Sequence, residues 1–242
     1  MGRDSIISWT KDTHNFWLGC HHVSEGCDNC YADRIVTRMW KRNFNKPWLN
    51  EKTFDTPLKW EPSLIFTCSM SDFFLNEADL WRPRAWDVIR RTPQHQWQIL
   101  TKRPQRIKQC LPPDWGPSGY PNVWLGTSVE SPNYYGRIKQ LVEVPAAIHF
   151  LSLEPLLADL LGLPLDDIEW VIVGGESGSK FRPMQSEWAQ RILALCQERG
   201  IPFFGKQRAG HRTELPLLFD GKEIQEMPKN LDLPKETKST GN

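Results

Sequence analysis

Three cysteines, Cys20, Cys27 and Cys30, fall in one short segment, Gly19-Cys20-His-His-Val-Ser-Glu-Gly-Cys27-Asp-Asn-Cys30-Tyr31. Three thiolates can hold three irons of a [4Fe–4S] cluster and leave the fourth open to a substrate or cofactor. Gly19 and Gly26 supply the backbone freedom that a loop wrapped around such a group needs. Zinc bound by the three cysteines with His21 or His22 is one alternative, although the first interval exceeds the roughly 2–4 residues usual between paired zinc ligands. Unliganded or disulfide-bonded cysteines are another. Cys68, Cys110 and Cys196 stand alone and read as small buried hydrophobes, with Cys68 in the middle of a strand. His14, His95, His149 and His211 are scattered and read as structural. We find no Ser/His/Asp triad and no pair of catalytic carboxylates.

A second set of chemical groups follows a series of short apolar runs. The runs are 64–70, 97–101, 123–128, 148–152, 170–173 and 201–204. They end in Ser69-Met-Ser-Asp72, Thr101-Lys102-Arg103, Ser128-Val-Glu130, Ser152-Leu-Glu154, Gly174-Gly175-Glu176 and Gly205-Lys206-Gln207. A loop that only connects elements more often uses Gly, Asn, Asp and Pro. Lys102, Glu154, Glu176 and Lys206, with Arg103 and Gln207 beside them, therefore read as functional rather than merely connecting. Each could instead be an ion-pair partner.

The elements that must carry these groups can be read from the same pattern. Near-continuous apolar runs are what strands buried on both faces look like. Helix-like stretches separate several of them, such as Arg82–Arg91 and Gln185–Arg199, the latter with Trp188, Ile192, Leu195 and Cys196 on one face. Alternating strands and helices predict an α/β fold with a parallel sheet. Counting a short first strand near Phe16–Gly19, about six to seven units fit a complete or partial parallel β/α barrel. An open doubly wound sheet is the alternative, and either fold places its chemistry at the carboxyl ends of the strands. A helix over Tyr31–Phe44 is expected after the cysteines.

Composition narrows the class. With 242 residues, 24% charged and 12 Trp, the chain can build a sizeable core and is not a disordered one. Residues 1–228 read as one domain carrying the cysteine loop at 20–30, and 229–242 as a polar tail. Six cysteines are too few for a disulfide scaffold. Lys+Arg 30 against Asp+Glu 29 gives a net charge of +1, which excludes a globally basic nucleic-acid binder but leaves room for a local patch. Such a patch exists in Arg34, Arg38, Lys41, Arg42 and Lys46, interleaved with Trp40 and near Trp48. It suits phosphate contact and base stacking, or simply a solvated helix face. No apolar run approaches the roughly 18 residues of a membrane span. The polar start has no signal-peptide core, and Ile6 stands where myristoylation requires Ser or Thr. The expectation is a cytoplasmic protein with no membrane contact.

The chain resembles the phage and prophage three-cysteine-motif proteins, relatives of the radical SAM enzymes. The resemblance rests on Ile7-Ser-Trp-Thr, Gly19 through Ala32, Thr56-Pro-Leu-Lys-Trp60, Ser69 through Phe73, Ile99-Leu-Thr-Lys-Arg-Pro104 and Val123 through Glu130. It continues through Phe150-Leu-Ser-Leu-Glu-Pro-Leu-Leu157, Trp170 through Gly178, Arg182-Pro-Met184 and Phe203-Phe-Gly-Lys-Gln207, covering about residues 7 to 228. Gly205 stands where that family usually has an aromatic, and Arg208 where it has Trp. The main radical SAM group spaces its cysteines x3 then x2, whereas the first interval here is x6.

The resemblance implies a radical-SAM-like barrel in which Cys20, Cys27 and Cys30 ligate a [4Fe–4S] cluster and S-adenosyl-L-methionine binds its open iron. Reductive cleavage then yields a 5′-deoxyadenosyl radical that abstracts hydrogen from substrate. By position, Ser69 and Asp72 would meet the amino group of S-adenosyl-L-methionine and Ser128 and Glu130 its ribose hydroxyls. Gly174 and Gly175 would let backbone approach the adenine or methionine, which leaves Lys102, Glu154, Glu176 and Lys206 as candidate catalytic groups toward substrate, with Arg103 and Gln207. A flavodoxin- or ferredoxin-like electron donor is implied, and the phage association implies DNA or a nucleotide as substrate. The contrasting expectation is a non-enzymatic binding module stapled by zinc or by a cluster.

Overall fold

A computed structural model describes residues 2–229. Seven strands lie parallel in one sheet, each beside its neighbour in the chain. They are β1 (Asp12–His14), β2 (Leu64–Thr67), β3 (Gln96–Thr101), β4 (Val123–Ser128), β5 (Ile148–Leu153), β6 (Trp170–Gly174) and β7 (Phe203–Gln207). The sheet curls into a half-barrel. A doubly wound sheet reverses its strand order at a switch point. This order never reverses, so the partial barrel is the fold.

Parallel neighbours need crossovers, and most of these are helical. The first carries the cysteine loop and α1 (Tyr31–Arg34); later ones carry α2 (Arg82–Arg90), α3 (Ile107–Cys110), α4 (Tyr135–Val142) and α5 (Ser186–Arg199). The connection from β5 to β6 contains no helix. There Leu156, Leu160, Leu163, Leu165 and Ile168 are buried and cover the sheet in its place.

The strands are apolar on both faces because both faces are covered. Ile65, Ile99, Leu125, Leu151, Val171 and Phe203 join one core with Ala85, Ile89, Leu141 and Ile192 of the helices. The alternate residues Phe66, Trp124, Phe150, Trp170, Ile172 and Phe204 fill the concave side around Trp9. The Trp9 ring lies 4.5 Å from that of Phe66 and 6.1 Å from that of Trp170. Side chains alternate along a strand with a period of two. The concave face therefore continues upward into Lys102, Ser128, Ser152, Glu154 and Lys206, turning from apolar floor to polar rim.

Several local expectations change. The first sheet strand is Asp12–His14 rather than Phe16–Gly19, while Trp17–Leu18 pair antiparallel with Trp48–Leu49 in a small ribbon. The Asp12 strand is polar, and its buried carboxylate is held by Ser63 Oγ (2.5 Å) and Arg3 (3.4 Å), so it escapes an apolar-run criterion. The helix expected to reach Phe44 stays α-helical only to Arg34, continues as π-helix over Ile35–Met39, and breaks before Lys41, whose φ is 54°. Cys68 lies just beyond β2 at φ 59° and is not within the strand. Among the described residues, no helix is long and apolar enough to cross a membrane. The polar tail lies outside the described residues except for Lys229.

Gly126 of β4 tests the concave packing, because a Cβ there would collide with the Phe150 ring. Gly126→Ala should destabilise the fold by about 1–3 kcal/mol, the usual cost of overpacking a dense core. Urea denaturation would read this as a lower midpoint with an unchanged slope.

Candidate functional site

The three thiols open onto one cavity of about 950 Å³ at the carboxyl ends of the strands. The same cavity is lined by Ser69, Asp72, Lys102, Arg103, Ser128, Ser152, Glu154, Gly175, Glu176, Lys206 and Gln207. Its lower wall includes Trp9, Phe66 and Leu100. The volume lies at the upper end of the roughly 300–1,000 Å³ typical of small-molecule sites. A second cavity, of about 830 Å³, lies on the helical side between Arg82, Trp86, Arg106 and Tyr120, away from the thiols.

Charged strand ends hold the cysteine loop in place. At its first end, Arg103 donates to the His21 carbonyl (2.9 Å), lies 3.5 Å from Cys20 Sγ, and pairs with Asp72 (3.0 Å). In the middle, the fully buried Glu130 accepts a hydrogen bond from Ser24 Oγ (2.9 Å) and pairs with Lys102 (2.9 Å) and Arg137 (2.8 Å). Gly26 packs so tightly on Glu130 that a Cβ would collide with it. At the far end, Arg182 pairs with Glu176 (2.6 Å) and Asp28 (3.2 Å) and donates to the Glu25 carbonyl (2.8 Å). Asn29 donates to Glu176 as well (2.9 Å). Gly19 bends the entry with φ 89°, where a Cβ would lie 2.8 Å from the Phe44 carbonyl oxygen.

The cysteines are half-buried and free. Burial pushes the Cys20 thiol up to about 12, with the Asp72 charge adding to it and Arg103 opposing it. Burial also raises Cys30, and the neighbouring Cys27 adds to that rise while Lys102 opposes it. Among the described residues, no three His, Cys, Asp or Glu side chains converge as ligands of a single metal ion. The histidines that zinc would use are engaged elsewhere, His21 with Glu77 (2.5 Å) and His22 with Asp28 (2.7 Å). Cys20, Cys27 and Cys30 are the three thiols on this cavity that could hold a metal or a cluster.

Most of the expected site residues are brought together, each with partners inside the chain. Asp72 accepts from Thr101 Oγ1 (2.7 Å) and from the N–H groups of Phe74 (2.9 Å) and Lys102 (3.1 Å), besides Arg103. Ser69 accepts from Asn15 (3.1 Å) through its hydroxyl and from the Tyr31 hydroxyl through its carbonyl. The Ser128 carbonyl takes Arg137 (2.9 Å). Glu130 and Gly174 stand behind the cavity wall. A Cβ on Gly174 would press on the Glu154 carboxyl at 3.1 Å, and one on Gly175 would collide with Ala209. Both glycines thus allow close packing within the chain, and Gly175 also borders the cavity. Glu154 and Lys206 face the cavity as a bidentate pair at 2.7 and 2.9 Å, with Gln207 at 3.2 Å.

Ser24, Asn29, Tyr31, Arg137 and Arg182 complete the site and were not among the expected site residues. Arg137 carried a readable signal, since it lies next to Ile138 and near Leu141 in the buried stripe of α4. An arginine is out of place there unless it meets a buried acid. Cys110 also departs from a plain hydrophobe, with Arg82 3.2 Å from its sulfur. His14 fits its structural reading: burial holds its pKa down at about 4, and it bonds the Phe54 carbonyl.

The model of a family described as "Protein of unknown function (DUF5131)" matches residues 4–236. No curated protein and no solved structure matches the chain.

Acid titration tests the clamp on the loop. Burial opposes the charge of Glu176, but Arg182 and Asn29 outweigh it and hold the carboxyl below its ordinary range. A carboxyl depressed in the fold stabilises it fully above the unfolded value of about 4.3 and loses that contribution as pH falls through the folded value. Glu176→Gln should therefore be less stable than the parent at neutral pH. The gap should close on acidification below about pH 4, as read by thermal melts across pH.

Proposed function

The chain belongs to the DUF5131 family, and on the geometry of its site we propose that it is an iron–sulfur enzyme of the radical SAM type. The observation that carries this reading is that three free thiols and the polar rim of a parallel half-barrel line one cavity. Cys20, Cys27 and Cys30 would hold a [4Fe–4S] cluster. Bound there, such a cluster would supply the electron for reductive cleavage of S-adenosyl-L-methionine and so the hydrogen-abstracting chemistry of a radical enzyme.

The protein's own groups supply binding, orientation and exclusion. Arg103 sets a cation beside Cys20 and favours its thiolate form. Asp72, Glu130 and Glu176 act mainly through the loop they brace, and so position the thiols. Ser69, Ser128 and the Gly175 backbone are the polar contacts left for S-adenosyl-L-methionine. The Glu154–Lys206 pair offers a proton acceptor and a donor to substrate, and Lys102 adds a cation on the same wall. Trp9, Phe66 and Leu100 line the floor with apolar surface that keeps water from a reactive carbon centre.

A flavodoxin- or ferredoxin-like donor is the proposed source of the electron, and a nucleotide or nucleic acid the proposed substrate. Unpaired thiols fit a reducing, cytoplasmic setting. A non-enzymatic stapled module would share the bracing of the loop, but a stapled site is closed. Thiols that open onto a cavity favour the enzyme.

Turnover tests the reading. Anaerobic protein incubated with dithionite and S-adenosyl-L-methionine should release 5′-deoxyadenosine, measured by liquid chromatography. Cys27→Ala should lose both the brown colour expected of an iron–sulfur protein and that product. An iron-loaded parent protein that yields no 5′-deoxyadenosine would overturn it.

A further inference from the structure

Several exposed arginines elsewhere on this surface are matched to acids. Arg84 pairs with Glu51 and Asp55, Arg90 and Arg91 with Asp87, Arg106 with Asp79, Arg191 with Asp159 and Arg199 with Asp166. The stretch from Arg34 to Lys46 concentrates its cations without such partners. It holds Arg34, Arg38, Lys41, Arg42 and Lys46 without a single Asp or Glu. The one acid at its edge, Asp33, is bonded to Thr37. Among the described residues, none of these five cations forms an ion pair: Arg34 rests on the Ser177 carbonyl (3.2 Å) and Arg42 lies 3.8 Å over the Trp48 ring. Arg38, Lys41, Arg42 and Lys46 are exposed.

Five cations within thirteen residues, with no acid among them, repel one another, a cost that an anionic ligand would relieve. The backbone is shaped to present them. The α-helix widens to π over Ile35–Met39, and Lys41 takes the left-handed conformation that only glycine adopts freely.

Aromatic and apolar surface accompanies the charge. Met39 is 72% exposed, Tyr31 40% and Trp40 37%. Tyr31 is anchored by its hydroxyl on the Ser69 carbonyl while the rest of the residue borders the cavity. The patch and the cavity are continuous, since Tyr31, Arg34, Ile35, Arg38 and Met39 line the same space as the three cysteines.

We propose that residues 31–48 form a track for single-stranded nucleic acid, its phosphates on Arg38, Lys41, Arg42 and Lys46, from which one nucleotide enters the cysteine-lined cavity. Cations interleaved with aromatics are how sequence-tolerant single-strand sites work. A recessed cavity admits a base only after it leaves its stack, which costs least in a single strand. As a claim about substrate, this rests on the enzyme reading above; as a claim about binding, it stands without it.

The test is fluorescence anisotropy on the anaerobically purified full chain, using labelled dT and rU oligomers of about 12 nucleotides, within the site sizes of such grooves. A duplex of equal length and vesicles of anionic lipid serve as competitors. The triple variant Arg38→Gln/Lys41→Asn/Lys46→Gln removes three cations, with Asn chosen at 41 because it tolerates the left-handed backbone. The plot of log K against log salt should become shallower by about 2, from three contacts at about 0.7 each. A charge-matched variant on other faces, Lys139→Gln/Arg199→Gln/Lys222→Gln, should bind as the parent does.

Equal losses in both variants, tighter binding to duplex, or displacement only by vesicles would overturn the proposal. So would absence of oligomer binding by the parent. Iron content, read on the same samples, separates the two ideas: oligomer binding at the patch by a protein that takes up no iron would keep the track and remove the enzyme reading.

Discussion

Three buried carboxylates govern this structure. Asp72, Glu130 and Glu176 follow strand ends in places largely closed to water, with exposures of 5%, 0% and 6%. A carboxylate in such a place must find a cation, and removing one partner of a buried pair costs about 3–5 kcal/mol. Each finds an arginine: Arg103, Arg137 and Arg182. What gives the arrangement its meaning is the remaining bonding capacity. Arg103 and Arg182 also donate to carbonyls of the cysteine loop, and Glu130 accepts from the Ser24 hydroxyl within it. The loop cannot shift without disturbing charges that the core cannot leave unpaired.

The rest of the site follows from that anchorage. A segment of mostly irregular backbone is tied to the ends of several parallel strands, so its three thiols face the mouth of the half-barrel. With Asp72, Glu130 and Glu176 committed to the loop, Glu154 and Lys206 are the acid and base of the rim that bond chiefly to each other and face open space. The alternation of the strands does the remainder. One face runs from Phe66, Trp124 and Phe150 at the floor to Ser128, Ser152 and Glu154 at the rim, joining a dry interior to a polar mouth.

Much of the fold was legible because double burial writes itself into the sequence. Strands covered on both faces read as unbroken apolar runs, and β2 to β7 fall where those runs are. The exception, Asp12–His14, is a polar strand whose burial depends on Ser63 and Arg3 from outside it. The helix after the cysteines shortened because the turn at Lys41 is a backbone event that no side-chain pattern announces. At the site, the residue types were legible and their partners were not. Glu176 stood out as an acid at a strand end, but its neighbour Asn29 is 147 residues away. Ligand-binding and loop-bracing roles ask for the same residue at the same place, and only the tertiary pairing distinguishes them. The cysteines differ in that their type and spacing are contained within one loop, and the structure sets all three on the cavity.

The measurement that bears most directly on the central claim is metal analysis with electron paramagnetic resonance of anaerobically purified, dithionite-reduced protein, with and without S-adenosyl-L-methionine. About four irons per chain and a reduced-cluster signal that changes when S-adenosyl-L-methionine is added are the expected result, since three thiolates leave one iron open. One zinc per chain and no signal would contradict it, and would make the cysteine loop a structural staple.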